Sequence, residues 1–298
     1  EFAPRGMEAD AVAAHGWAHV EATLKGWDVE LCIFAAAHVA VSPDGAAVPE
    51  AIWRRLLDVL RYTEDSWILL EVVLRAFQVH LPHVPQTLRD QLQPLAVRLY
   101  TECVFRNVRQ AAEVLWRALS PAMHRAFLDF VGRLGITAPV LAASDVAAIA
   151  EAVCGVSAAH FLEGLLGPAE GDPGRDALRN VLRFYCRAVT EGRVEDRVWT
   201  QEALGSENQF LRRVALLAVA RHGLLADQKV HISVTKLAQH DLISDVRAAA
   251  RQVLGAIQDI VPEEDALEHE EAQLQELLTA KKRAWAPVCG EGSLMVKF

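Results

Sequence analysis

Apolar residues recur at helical spacing along almost the whole chain, and this pattern limits the fold more than any other feature of the sequence. We find no segment with the period-two alternation that is typical of a half-buried strand. Short turns divide the pattern into segments of helical length, so successive helices are expected to be antiparallel neighbours. The sequence therefore predicts an all-α protein built from helical hairpins.

Turn and capping residues set the expected helix ends. Thr63 is predicted to cap one helix, and Ser120 to cap another that opens with Pro121. Ser206 and Gln209 fit a capping box, in which each side chain accepts a hydrogen bond from the backbone amide of the other residue. The expected helices span residues 8–25, 27–41, 48–61, 64–80, 86–104, 107–119, 121–134, 144–166, 175–191, 194–204, 206–222, 226–239 and 244–260.

Two stretches of the chain match each other at an offset of 35 residues. Residues 206–215 align with residues 241–250, which places Arg212 opposite Arg247. A weaker third copy surrounds Arg109. Repetition at such a period is typical of stacked helical hairpins, because one hairpin cannot bury its apolar face alone.

The string from Asp241 to Gly255 resembles the second helix of a HEAT repeat, which opens with an acidic turn followed by Val-Arg, alanines and Leu-Gly. The resemblance covers about residues 194–260 and points to the HEAT/armadillo superfamily without indicating a particular member. It implies an α-solenoid, a superhelical stack of antiparallel hairpins. It also implies that Arg247 bonds to turn acids such as Asp241, within its own repeat or the next. The proline usual in the family's first helix is missing.

The Gly- and Pro-rich stretch after residue 166 divides the chain into two predicted halves. The opening Glu1-Phe2 is typical of a cloning-site remnant, which predicts a fragment of a longer protein. We expect linker residues at 1–7, an N-terminal helical-repeat half at 8–166, a flexible loop at 167–174, HEAT-like repeats at 175–262, an acidic-to-basic helix at 263–283 and a flexible tail at 284–298.

The charge and the cysteine content limit which kinds of partner and which cellular compartment we expect. Lys and Arg number 30 against 39 Asp and Glu, giving a net charge of -9, which makes nucleic acid an unlikely partner. Five cysteines without a CxxC pair favour a reducing compartment, and no apolar run reaches membrane-spanning length. We expect a cytoplasmic or nuclear protein that binds no membrane.

The sequence contains none of the common catalytic or cofactor motifs GxxxxGK[ST], GxGxxG, GxSxG and HExxH. His15 and His19 lie one helical turn apart, but no acidic or cysteine ligand accompanies them. Packing or surface histidines are the simpler interpretation. We therefore predict a protein that is not an enzyme, with no catalytic residue, no cofactor and no metal.

The predicted function is a protein–protein interaction scaffold or adaptor that docks a partner helix or extended peptide. The second helices of the hairpins should line a concave face, where Arg213 and Arg251 are left outside the core and would attract an acidic peptide. Val296 and Phe298 form an apolar-x-apolar end of the kind that PDZ domains bind. The alternative is a nucleic-acid-binding helical-repeat protein, including the HEAT-like DNA glycosylase type.

Overall fold

The computed structural model describes residues 16–43, 45–63, 66–166, 177–193 and 197–255. These residues form fourteen α-helices and no strand, which confirms the all-α prediction. The helices are α1 (16–25), α2 (Val29–Val41), α3 (Glu50–Tyr62), α4 (Trp67–Val79), α5 (Gln86–Glu102), α6 (Arg106–Leu119), α7 (Pro121–Val131), α8 (Ala143–Cys154), α9 (Ala158–Leu166), α10 (Ala177–Phe184), α11 (Arg197–Leu204), α12 (Gln209–His222), α13 (Gln228–His240) and α14 (Ser244–Val253). A π-helical segment, Tyr185–Thr190, follows α10 directly.

The single helix predicted at 144–166 is wrong, because Gly155 ends α8 in the left-handed conformation with φ 66°. Glycine adopts this conformation without steric cost, and it commonly terminates a helix. The chain then turns, and α9 runs at 109° to α8. Within the described ranges, no single helix has the length and apolar character to span a membrane, and α8 with α9 meets that test only as this bent pair.

Two predicted helix caps are also wrong. Helix α4 is capped by Ser66 instead of Thr63, and the Ser66 hydroxyl accepts the Leu69 amide at 3.4 Å. Ser120 precedes α7 but caps nothing, because its hydroxyl donates instead to Gln93 Oε1 at 2.7 Å. That bond links the start of α7 to α5.

The predicted capping box at the start of α12 is replaced by a different cap. Asn208, two residues after Ser206, accepts the Phe210 amide through Oδ1 at 3.0 Å. Gln209 turns away from the helix end, and its Nε2 donates to the Tyr100 carbonyl at 2.9 Å. The glutamine therefore connects α12 to the end of α5.

The helices pack in alternating rows. Helix α4 lies between α2 and α6, and a second row runs from α8 through α10 and α12 to α14. Among the odd-numbered helices, α3 packs on α5 and α11 packs on α13. Four pairs of consecutive helices form hairpins: α5–α6, α7–α8, α11–α12 and α13–α14. The first row joins the second through α5, the hairpin partner of α6, which contacts α10 and α12. In a strict one-dimensional stack each repeat touches only its neighbours, so this contact departs from that order.

Aromatic side chains fill the junction between the rows. The Tyr100 ring lies 5.7 Å from Trp116 and 5.5 Å from Phe210, centroid to centroid. Phe127 meets Phe210 edge to face at 5.1 Å and 89°, a favoured geometry for aromatic pairs. Trp116 and Phe127 are fully buried. These contacts fix the ends of α5, α6 and α12 relative to one another.

The exposure of each cysteine reflects its position among the packed helices. Cys32 and Cys186 are buried, whereas Cys103 and Cys154 are partly exposed. Burial, with a smaller contribution from the negative charge of Glu191, raises the pKa of the Cys186 thiol to about 11. This thiol is therefore protonated at neutral pH and packs as a small apolar side chain.

Candidate partner-binding groove

The three arginines aligned by the sequence repeat occupy equivalent positions in α6, α12 and α14. Arg109, Arg212 and Arg247 each lie four residues after the helix N-cap, and each directs Nη1 at a carbonyl of the preceding turn. The acceptors are Cys103 and Val104 for Arg109, Ser206 and Glu207 for Arg212, and Asp241 for Arg247. We call this contact the arginine lock. It holds each turn against the first turn of the following helix.

The carboxylate of Asp241 joins two of these hairpins. Arg212 donates to it twice, from Nε at 2.7 Å and from Nη2 at 3.0 Å. The side chains are 12% and 4% exposed, so the pair is largely removed from water. Arg247 was expected to bond to this acid. It does so only through the Asp241 main-chain carbonyl, because the carboxylate is taken by Arg212 of the preceding hairpin.

A groove of about 260 Å³ opens beside these locks. The first turns of α6, α12 and α14 border it, and the end of α5 closes its base. Its polar lining includes Tyr100, Arg106, Glu113, Gln209, Arg213 and Asp245. Val131, Phe210 and Ile243 add apolar surface. The groove exists because the aromatic junction brings α5 and α6 to the start of α12.

Two arginines of the groove, Arg106 and Arg213, have donors without a close hydrogen-bond acceptor among the described residues. Arg213 Nη1 lies 3.6 Å from Asp245 Oδ2, a long ion pair whose carboxylate side chain is 60% exposed. Such exposed pairs contribute little to stability. Arg106 makes no hydrogen bond or ion pair with another residue of the described ranges. With Arg109, three guanidinium groups face two carboxylates, those of Glu113 and Asp245.

Tyr100 lies at the base of the groove as a neutral phenol. Burial, with smaller contributions from the negative charges of Glu113 and Asp245, raises its pKa to about 12, although the positive charges of Arg213 and Arg109 act in the opposite direction. The hydroxyl therefore stays protonated at any physiological pH. Together with the Gln209 amide, it supplies neutral polar groups beside the guanidinium groups.

The structure separates the two arginines that the sequence placed on one face. Arg213 lines the groove, but Arg251 Nε donates to the Ala238 carbonyl of α13 at 3.2 Å. Val296 and Phe298 lie outside the described residues. Sequence reasoning missed Arg106 and Tyr100, although the weak repeat copy around Arg109 pointed to the right helix.

The groove has the chemistry of an anion-binding site. Guanidinium groups pair with carboxylates in a bidentate manner, and the partly exposed Val131 adds a small apolar surface beside them. Among the described residues, no group of three or more His, Cys, Asp or Glu side chains is placed to hold a metal ion. No family model matches the chain, and no curated protein or solved structure has significant similarity to it.

Proposed function

We propose that this chain is a protein–protein interaction scaffold of the HEAT/armadillo-like α-solenoid type, and that the groove between α6, α12 and α14 binds an acidic segment of a partner protein. The alternating rows of helices and the arginine lock at three matching positions support the solenoid assignment. The proposal assigns no catalytic residue and no cofactor.

One observation carries the proposal: in an open groove, Arg106 has no carboxylate partner among the described residues, and Arg213 has only a long 3.6 Å pair with the exposed Asp245. A carboxylate from a partner would complete their hydrogen bonding. Charge-assisted bonds of this kind are about twice as strong as neutral ones. Val131, which is partly exposed at the groove wall, offers an apolar contact next to the acid.

The net charge of the whole chain affects where an acidic ligand can bind. Because the net charge is -9, the chain as a whole repels an acidic partner, while the guanidinium groups of the groove attract it locally. Binding should therefore be specific for the groove and should weaken as salt rises.

The test is a peptide-binding measurement. Arrayed peptides that combine two or more Asp or Glu with one Leu or Phe are screened against the purified chain, and the best binder is labelled for fluorescence anisotropy. We expect the Arg106→Glu/Arg213→Glu variant to bind it at least about 30-fold more weakly. Arg54→Glu is the matched control, since Arg54 is 67% exposed and pairs only with Glu50 one turn away on α3.

A third variant, Arg251→Glu, separates this groove from the wider concave face that the sequence predicted. It should bind like wild type, because Arg251 does not line the groove. Equal binding by the wild type and the double variant, or tight binding of DNA or RNA in place of acidic peptides, would overturn the proposal.

A further inference from the structure

Acidic residues are concentrated in one stretch of the sequence, positions 256–280, which we call the acidic segment. It holds eight of the 39 Asp and Glu residues and none of the 30 Lys and Arg residues. The rest of the chain therefore has 30 basic against 31 acidic residues and a net charge of only -1. The densest part is residues 263–265, which are all acidic, with Leu267 close behind.

Helix α14 connects the groove to the acidic segment. Its first turn, with Ser244 and Asp245, borders the groove, and its other end leads directly into position 256. Gly255 has φ 70°, the left-handed conformation that commonly terminates a helix. The chain therefore leaves the axis of α14 at this residue, one helix length away from the groove.

The distance back to the groove is short compared with the reach of the chain. The ten residues of α14 rise by about 15 Å. The seven residues 256–262 span up to about 23 Å when they are extended. Residues 263–265 can therefore return to the first turn of α14 without any change in the described helices.

The groove offers partners for these carboxylates. Arg106 has no carboxylate partner among the described residues, and Arg213 has only its 3.6 Å pair with the exposed Asp245. Carboxylates from residues 263–265 would complete the hydrogen bonding of both guanidinium groups. The partly exposed Val131 lies in the same groove as an apolar contact for a residue such as Leu267.

We propose that the acidic segment binds the groove of its own chain, with residues 263–265 against Arg106 and Arg213, and so competes with an acidic partner. The inference rests on the proposed function, because both ligands use the same guanidinium groups. A segment on so short a tether has an effective concentration of about millimolar order. A partner must displace it, and the apparent affinity of the partner falls with the fraction of free grooves.

A labelled synthetic peptide with the sequence of residues 259–271 tests this contact without any outside partner. Fluorescence anisotropy compares its binding to the full wild-type chain and to a full chain with a neutralised segment. The neutralised chain carries Glu263→Gln, Glu264→Gln and Asp265→Asn. It should bind the peptide at least about tenfold more tightly than the wild type, because its groove is free.

Two further variants locate the site and separate it from a general effect of charge. Adding Arg106→Ala and Arg213→Ala to the neutralised chain should weaken peptide binding at least about 30-fold. The control chain carries Glu30→Gln, Glu50→Gln and Glu151→Gln, which change the net charge by the same amount at exposed positions outside the groove. It should bind the peptide like the wild type.

The outcomes distinguish this inference from the proposed function. If the neutralised chain does not bind the peptide, binds it no better than the wild type, or gains no more than the control chain, the acidic segment does not occupy the groove. Arrayed peptides that bind the wild type and the neutralised chain equally, through Arg106 and Arg213, would support the proposed function and contradict this inference. If peptide 259–271 behaves as expected and no arrayed peptide binds either chain, only the proposed function fails.

Sedimentation velocity shows whether the segment binds its own chain. We expect the wild type and the neutralised chain to sediment alike as monomers. A dimer of the wild type that the neutralised chain does not form would mean that the segment binds a second copy, which contradicts the inference.

Discussion

The helices α6, α12 and α14 and the helices α2 and α4 begin in two different ways. The first three start with an arginine lock, in which the residue four positions after the N-cap bonds to the preceding turn. The equivalent residues of α2 and α4 are Cys32 and Leu70, which are buried and apolar. These two helices have only the side-chain caps of Asp28 and Ser66, whereas α12 combines its lock with a cap by Asn208.

The difference affects how hairpins are joined. A side-chain cap satisfies amides of its own helix only, whereas the lock leaves further guanidinium donors for a neighbour. Arg212 uses them on Asp241 of the next hairpin. The locked helices therefore combine directional contacts with apolar packing, and their first turns are positioned closely enough to border a groove. The N-terminal helices are stacked by apolar contact together with single side-chain bonds to main-chain carbonyls, such as Gln78 to Ala111 and His80 to Val39.

The largest expected effect comes from Asp241→Ala, which removes the carboxylate between two locked hairpins. Arg212, only 12% exposed, would lose two hydrogen bonds, and we expect unfolding to become easier by about 3 kcal/mol. Asp245→Ala is the control, since that carboxylate is 60% exposed and its pair with Arg213 should contribute at most about 1 kcal/mol. Urea denaturation measures both, and equal losses would contradict the role given to the lock.

A smaller effect is expected from Ala250→Leu, at the position of α14 that packs without any exposed surface. The added methyl groups should overpack the contact between hairpins and cost about 1–3 kcal/mol. Ala248→Leu places the same side chain on the exposed face of the same helix and should change the melting temperature little. If thermal unfolding does not distinguish the two variants, the contact between hairpins at Ala250 is not tightly packed.

The unlocked helices should depend on their caps. Asp28 accepts the Glu30 and Leu31 amides at 3.1 Å, so Asp28→Ala should destabilise the protein by about 1 kcal/mol. Asp28→Asn keeps an acceptor oxygen and should remain within a few tenths of wild type. Both values come from denaturant midpoints. A loss in the asparagine variant as large as in the alanine variant would mean that charge, and not the cap, matters here.

The effect that is smallest at neutral pH appears only in strong base and reports on the junction between the rows. Tyr100 has a pKa of about 12 in the folded protein, against an ordinary value near 10 in the unfolded chain. Between these values the unfolded chain releases the proton first, so stability should fall as pH rises above about 10. Tyr100→Phe should make that decline shallower in a pH series of unfolding curves. Parallel curves would show that the phenol is not buried as described.

The all-α fold was predictable because apolar spacing is a local property of the sequence. Helix ends were less so, since neighbouring residues compete for the same role: Ser206 and Asn208 can both cap, and Asn208 does. Gly155 interrupts a helical pattern that continues on both sides, and periodicity alone does not show the break.

The groove was only partly predictable. The repeat pointed to α12, and Arg213 lines the groove. Arg251 and Arg213 differ in their position relative to the lock arginine of their own helix. Arg251 lies one helical turn after Arg247 and is therefore on the same side of α14. Arg213 lies about 100° around α12 from Arg212. Tyr100 could not be found this way, because it reaches the groove through a contact between positions 109 residues apart in the chain.

That long separation has a consequence for how the protein is made. A ribosome adds about 5–20 residues per second, so roughly 5–20 s pass between the synthesis of Tyr100 and that of Gln209. During this interval the nascent chain holds the aromatic residues of α5 and α6 without the start of α12 that covers them. Chaperones that shield exposed aromatic surface should therefore bind nascent chains longest at this stage, and codon choice between positions 100 and 209 should influence the yield of folded protein.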